Sequence, residues 1–274
     1  MHNLLMKSST RLAAQVIPLK NFLMLAGISL PVFAFQPLIT DDTGTQGVGG
    51  NQLELSFNED RAKLAGNTDR IRSLPVAYTR GLTDTIDIFA GISYARIHAG
   101  TSGDSSSGAG NPAIGGKWRF YENGESKTSF AVKPEILFPV SSDRESGGLG
   151  TGKTSGNLTF ILTQEVPFGA IHLNAGLGRD RFRDTLINPD LTKTRVSIAP
   201  VWDVTEQWKL ALDLGTESAR AGGTGVRSDF VELGAIYSPN KDLDFAVGFI
   251  HSADNDSPRT TTDTATAGIT WRFK

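Results

Sequence analysis

Residues 147–169 read GGLGTGKTSGNLTFILTQEVPFG, and their two halves argue for different folds. The first half spells the phosphate-binding pattern G-x-x-x-x-G-K-[ST], from Gly147 to Gly152-Lys153-Thr154. Such a loop works when a buried strand delivers it and a helix leaves from it, so that backbone N–H groups converge on the phosphates. The second half denies that helix. Leu158, Phe160, Leu162 and Val166 share one parity, while Asn157, Thr159, Thr163 and Glu165 share the other. That is the period of a strand whose two faces meet different surroundings. No apolar run ending in Asp stands ready to hold magnesium. The stretch is read as a flexible Gly/Ser/Thr loop feeding a strand, and no nucleotide is expected.

Working outward, the same alternation recurs. NQLELSFNED (51–60) sets Leu53, Leu55 and Phe57 against Glu54, Ser56 and Asn58; EQWKLALDLGT (206–216) sets Trp208, Leu210, Leu212 and Leu214 against Lys209, Ala211, Asp213 and Gly215. GAIHLNAGLG (169–178) and DLDFAVGFI (242–250) follow suit. Marking every such segment predicts strands near 51–61, 70–80, 84–97, 110–121, 127–140, 154–167, 169–180, 192–203, 206–217, 226–238, 242–252 and 262–273. Each is long enough to cross a bilayer when tilted.

The connections choose the architecture. Every second one is short: GLTD (81–84), ENGE (122–125), FG (168–169), VTEQ (204–207) and SPNK (238–241). The others are longer and polar, as in GTSGDSSSGAG (100–110) and SADNDSPRTTT (252–262). An even strand count with short turns at one end and loops at the other predicts an all-β fold, a transmembrane antiparallel outer-membrane barrel of about twelve strands with both termini periplasmic. Trp118, Phe120, Trp202, Trp208, Tyr237, Trp271 and Phe273 fall near the short-turn end on the lipid parity, as an interfacial aromatic girdle does. A soluble β-sandwich also alternates, but membrane-length strands with this rhythm of connections speak against it.

Composition narrows the chemistry. The chain has 274 residues, 30 Gly, no Cys, four His and a formal charge of −2. Disulfides and thiolate metal sites are excluded, no metal site or cofactor is expected, and the charge gives no reason for a nucleic-acid partner. Before Thr40 there is no acidic residue, while Lys7, Arg11 and Lys20 precede the apolar run FLMLAGISLPVFA (22–34). That pattern predicts a signal peptide over 1–34, cut after Ala34, with Met6 as an alternative start. The run is too short for a membrane-spanning helix, and a transit peptide is the other reading. Removing three cations leaves 24 basic against 29 acidic residues, a mature charge of −5.

The inward parity collects Lys117, Arg119, Lys133, Arg195, Lys209 and Arg272 with Glu54, Asp87, Glu135, Glu165, Asp213, Glu232 and Asp244, together with His172. Charges are tolerable in a lumen, whereas Arg or Lys on the lipid face costs about 2–4 kcal/mol at mid-depth. They are read as lumen-lining: either a salt-bridged filling, or a mixed passage that selects size more than sign. Gly91, Gly115, Gly176, Gly178, Gly215, Gly234, Gly248 and Gly268 share that parity. Glycine weakens a strand unless curvature or close approach requires it. Curvature, room for a solute, or room for residues 35–50 folded inward as a plug would each explain them.

The stretch PLITDDTGTQGVGGNQLELSF (37–57) resembles the start of a bacterial outer-membrane family labelled as transporters, or as proteins of the meta-pathway of phenol degradation. The resemblance is carried by Pro37, Leu38, Thr40, Asp41, Asp42, Gly49, Gly50, Leu53 and Glu54. It implies a Gram-negative outer-membrane channel for small, aromatic or otherwise apolar solutes, with Thr40, Asp41 and Asp42 in an N-terminal periplasmic or plug segment (35–50) before a barrel over 51–274. Its partners would be outer-membrane lipid, the barrel assembly machinery and the solute. One departure is the Lys274 that follows Phe273, where assembly machinery usually reads a terminal aromatic. The alternatives are a structural or adhesive barrel, or an outer-membrane lipid hydrolase, although His98, His172 and His251 have no evident nucleophile. Closure pairs the first and last strands, which predicts Leu53 beside Trp271 and Phe273, and a Glu54–Arg272 contact across the seam.

Overall fold

The computed structural model describes residues 37–274, so the expected leader over 1–34 lies outside the described residues. The strands are β1 (Asn51–Leu64), β2 (Asn67–Gly81), β3 (Ile86–His98), β4 (Ser105–Ala109), β5 (Ala113–Asn123), β6 (Thr128–Leu137), β7 (Ser155–Val166), β8 (Gly169–Asp180), β9 (Leu191–Asp203), β10 (Trp208–Ala221), β11 (Thr224–Asn240), β12 (Leu243–Asp254) and β13 (Thr261–Phe273), with a short helix α1 (Ser142–Ser146) between β6 and β7. Each pairs antiparallel with its neighbours, and β1 closes the ring by pairing with both β2 and β13. A closed sheet leaves no edge whose backbone groups would go unpaired in lipid.

Thirteen strands fill twelve places, because β4 and β5 share one. β4 pairs with the far half of β3 (Tyr94 opposite Ala109) and β5 with the near half (Gly91 opposite Ala113). Between them lies Gly110-Asn111-Pro112, where Pro112 has no N–H to give a ladder. The expected strand over 110–121 therefore begins earlier, at Ser105, and crosses a break.

A second correction concerns the connections. Two at the loop end are tight turns: Ala65-Gly66 between β1 and β2, and Gly222-Gly223 between β10 and β11. All four residues have positive φ, as the commonest two-residue hairpin turns require. Here the strands run on past the apolar band, and the alternation inverts. Outward positions become Arg61 and Lys63, while Ala62 and Ile71 stay buried inside.

The girdle is present. Trp118, Phe120, Trp202, Trp208, Trp271 and Phe273 are exposed on the outer wall near the short turns, and Trp208 packs on Tyr237. At the seam Leu53 stands opposite Trp271 as expected. The Glu54–Arg272 contact does not form. Glu54 stands opposite Thr270, buried in the field of Lys133 and Lys117. Gln52 stands opposite Arg272 and accepts from its Nε (3.1 Å), and Asp244 on β12 accepts from its Nη2 (2.7 Å). Asp244 and Glu54 are equivalent diagonal neighbours of Arg272, and the one nearer open water at the rim takes it.

Candidate functional site

The interior near the short turns is crossed by residues 37–50, which precede β1. They form no strand; up to Val48 side-chain contacts hold them to the wall, and at Gly49 and Gly50 backbone bonds to Gly81 (3.0 and 2.9 Å) take over. Pro37 lies against Gly234 and Gly248, where an added Cβ would stand 2.8 Å from its Cγ and 3.2 Å from its Cβ. Leu38 is buried among Ala199, Val201 and Ala211. Room for this segment explains Gly234; at Gly248 Glu232 Oε1 and Thr266 Cγ2 stand closer still, both at 2.8 Å. Gly115 and Gly215 instead admit the inward rings of Phe89 and Phe230.

Beyond Leu38 the anchors are polar. Asp213 and Glu232 stand directly opposite each other on β10 and β11, both with 0% exposure. Two buried carboxylates side by side repel, and each needs donors. The segment supplies them. Ile39 N donates to Glu232 Oε2 (3.2 Å) and Thr40 N to Asp213 Oδ2 (2.7 Å), while the Thr40 hydroxyl is bonded to Asp213 Oδ1 (2.7 Å) and Ser197 Oγ (2.6 Å). Among the described residues Glu232 Oε1 has no hydrogen-bond partner.

Asp41 is the centre of the arrangement. Asn174 clamps its backbone, accepting from Asp41 N and donating to Asp41 O, both at 2.8 Å. Lys117 Nζ reaches Oδ1 at 2.9 Å and Lys133 Nζ reaches Oδ2 at 2.6 Å. Burial pushes this carboxyl up, but the two ammonium groups outweigh it and hold its pKa at about 2. Lys117 also donates to Asp42 O (2.9 Å), and Lys133 stands 5.1 Å from the Phe89 ring centroid. Thr43 N donates to Thr163 Oγ1 (3.1 Å), whose hydroxyl meets His172 Nδ1 (2.9 Å). Gln46 N then donates to Asp87, at 3.1 and 3.0 Å.

Of the residues singled out from sequence, Asp87, Lys117, Lys133, His172, Asp213 and Glu232 thus gather on Thr40, Asp41 and their neighbours, and Glu54 is buried beside them in the field of Lys133, Asp41 and Lys117. The others do not. Glu135 accepts from Asn157 (2.8 Å), and Arg195 pairs with Glu217 (3.1 Å). Arg119 donates to Asp84 O (2.9 Å), and Lys209 meets Asp203 (2.9 Å) at the rim. Glu165 is exposed at the end of β7, and Arg272 with Asp244 stays at the seam. Asn174, Ser197 and Thr163 were missed. They alternate correctly, but an uncharged polar residue gave no reason to separate it from ordinary lumen lining.

The loop end is also covered, by different means. The β6–β7 connection, with α1 and the phosphate-loop lookalike, is not the featureless loop expected. Leu149 packs among Ile71, Ala95 and Ile97 of the inner wall. Ser106 Oγ donates to Gly147 O (2.6 Å), and Asn111 exchanges bonds with the Thr151 backbone at 2.8 and 2.9 Å. Glu145, on α1, accepts from Arg183 N (2.8 Å) and Nη1 (2.9 Å). A Cβ at Gly152 would stand 2.0 Å from Glu145 Oε2, so that glycine of the lookalike serves packing. Phe182, Leu191 and Ala221 form a second apolar group there. Elsewhere, His98 meets Ser105 (3.0 Å) on β3 and β4, and His251 meets Asp263 (2.7 Å) on β12 and β13. These contacts lie apart and do not join into a Ser–His–acid chain. Among the described residues no cluster of His, Asp and Glu is arranged for a metal ion.

With this geometry in place, comparison with known proteins is informative. Residues 40–273 match the family described as "Putative MetA-pathway of phenol degradation". The chain belongs to that family. The match starts at Thr40 and so takes in the segment that crosses the lumen. No curated protein matches the sequence significantly. Among solved structures, an outer membrane channel from Pseudomonas putida F1 is similar at 12% identity, covering 85% of this chain and 98% of that one, with a TM-score of 0.67. The β domain of the Bordetella autotransporter BrkA follows at 13% identity, 82% and 100% coverage and a TM-score of 0.53. The NanC porin is similar at 7% identity, 79% and 98% coverage and 0.51. These likenesses establish the fold, a closed antiparallel barrel of outer-membrane type.

Proposed function

We propose that the protein is an outer-membrane channel for small solutes, with the short turns in the periplasm, the loop end outside and Pro37–Gly50 acting as a plug. The observation that carries this is how the plug is held. A structural filling would be built into the sheet ladder. From Pro37 to Val48 the contacts to the wall run through side chains, so this part could leave without breaking a strand pair, while Gly49 and Gly50, where it joins β1, stay bonded to the Gly81 backbone (3.0 and 2.9 Å). Residues 1–34 would direct export and be cut off after Ala34, and the assembly machinery would insert the barrel.

Two features favour an aromatic or otherwise apolar solute. The family description names phenol degradation, and the inner wall at the loop end sets Ile71, Ile97 and Leu191 among charges that are already paired, Lys193 with Asp180 (2.9 Å) and Arg195 with Glu217 (3.1 Å). Paired charges would then receive the polar end of a phenol-like molecule nearer the periplasm. Nothing in the site calls for a cofactor. The test is liposome swelling with a panel of sugars, carboxylates and phenols, comparing the full protein with a form lacking residues 37–46. Faster phenol entry in the shortened form is expected. A shortened form as impermeable as empty liposomes would overturn the reading.

A further inference from the structure

On the outer wall of β1, β2 and β3 the apolar band ends at Phe57, Leu74 and Tyr94. The next outward positions toward the loop end are Glu59, Arg61 and Lys63 on β1, Arg72 and Arg70 on β2, and Arg96 on β3. The register places Arg61 directly opposite Arg70, and Arg72 directly opposite Arg96. Like charges facing each other across a ladder repel. Glu59 answers Arg61 (2.7 Å) and Arg72 (3.2 Å), and Asp263 answers Lys63 (3.1 Å). Among the described residues no acid pairs with Arg70 or Arg96. The side chains of Arg61 and Arg72 are 53% and 56% exposed. Because β1 and β2 join through only Ala65-Gly66, no loop folds over them.

The opposite wall differs. Toward the loop end, outward positions on β7, β8 and β9 are Leu158, Leu177 and Val196, and the cations there, Arg179 and Arg181, share Asp190 (3.5 and 4.0 Å). A polar collar wetted by bulk water would mix both signs all the way round. Here one sector carries a surplus of one sign, immediately beyond the apolar band, where headgroups lie.

We propose that this sector of β1–β3 binds the phosphate groups of a phosphorylated lipid headgroup in the leaflet at the loop end. The inference rests on the reading above that this wall faces lipid with the loop end outward. Arginine forks take phosphate oxygens two at a time, and a phosphomonoester brings close to two negative charges to a surface whose own acids are outnumbered. A lipid suits the site better than a free anion. The cations lie on a flat wall with no concavity to enclose a small ion, and the adjoining Phe57, Leu74 and Tyr94 offer apolar surface for the acyl chains.

The test uses the full protein in detergent, with bisphosphoryl lipid A as the probe and binding read by native mass spectrometry. Binding should weaken by roughly fivefold for each cation removed across Arg61→Gln, Arg70→Gln, Arg72→Gln and Arg96→Gln, and should be unchanged in Arg179→Gln. Lipid A stripped of both phosphates should bind weakly. Equal binding of the stripped lipid, displacement by millimolar inorganic phosphate, or an unaffected quadruple variant would each overturn the proposal. Heat-shifted gel migration checks folding. The Arg70→Gln, Arg96→Gln pair, which breaks no ion pair, serves if the quadruple variant fails to fold. Single-channel conductance should be the same in variant and wild type. A wild type that binds the lipid but passes no solute supports this site while defeating the channel reading.

Discussion

The lumen is covered at both ends, but the two covers rest on different interactions. Near the short turns the plug is held by charge and by hydrogen bonds to charge: Asp41 between Lys117 and Lys133, and Ile39 and Thr40 on a pair of buried carboxylates. At the loop end the cover is held by apolar contact, Leu149 against Ile71, Ala95 and Ile97, and by neutral hydrogen bonds from Ser106 and Asn111, with the Glu145–Arg183 ion pair reinforcing them. A buried ion pair is costly to break from one side, because the abandoned charge stays desolvated. An apolar contact loses the transfer energy of the atoms removed and the cost of the cavity they leave, but strands no charge. The two covers should therefore respond to different perturbations.

The sharpest separation comes from removing the ammonium groups. Lys117→Met with Lys133→Met leaves the Asp41 carboxylate buried without a counter-charge, which costs about 3–5 kcal/mol. The expected outcome is release of the plug, read as faster hydrogen exchange of amides 39–46 and a higher single-channel conductance. Exchange over 138–154 should not move. Matching losses at both ends would mean that the two covers are one cooperative unit.

The converse substitution is Leu149→Ala. Truncating this buried side chain should cost about 2–3 kcal/mol, speeding exchange over 138–154 and opening that connection to protease. The plug amides should keep their protection. Protease resistance equal to wild type would show that the Glu145–Arg183 pair, rather than Leu149, holds the loop.

Acid sharpens the contrast, and its direction follows from Asp41. The carboxyl is lowered from 3.8 to about 2 in the folded protein. A depressed carboxylate contributes stability that is complete above its unfolded value and disappears as pH falls through its folded value. This contribution, about 2 kcal/mol, should persist from neutrality to near pH 4 and fade between there and pH 2. A conductance that stays flat from neutral pH to pH 4 and rises below it is expected. A rise already complete at pH 5 would mean that groups other than Asp41 release the plug.

How much of this could be read from the chain follows from what each feature repeats. Strands such as Trp208–Leu214 were legible because lipid outside and water or charge inside impose a period of two. The same logic failed at Arg61, Lys63, Arg70 and Arg72, where the outside stops being lipid while Ala62 and Ile71 stay buried inside. The alternation inverts there, and tight hairpin turns looked like loops. The inward charges could be picked out singly, since parity assigns a face. Their grouping could not, because Asp213, Asn174, Lys133 and Asp87 lie on separate strands and meet only through a segment with no period at all. The glycines posed the right question, and Pro37 against Gly234 answers it for one of them.

The smallest expected effect lies at the seam, where the sequence suggested the wrong partner. Arg272 has two diagonal carboxylates, Glu54 on β1 and Asp244 on β12, and they flank Thr270 symmetrically in the register. Its guanidinium goes to Asp244 and to Gln52. The pair sits at the rim, with side chains 30% and 14% exposed, so water weakens it to about 0.2–1 kcal/mol. Arg272→Glu should lower the unfolding midpoint of the barrel slightly, and adding Asp244→Arg should restore it by recreating the pair in reverse. Adding Glu54→Arg instead should give no recovery. It would bury a third cation beside Lys117 and Lys133, where the repulsion is far larger than anything a rim contact returns. Recovery through Glu54 rather than Asp244 would show that Arg272 locks the first and last strands together by charge, whereas in the structure its ion pair goes to the strand before it and its contact across the seam is the neutral one to Gln52.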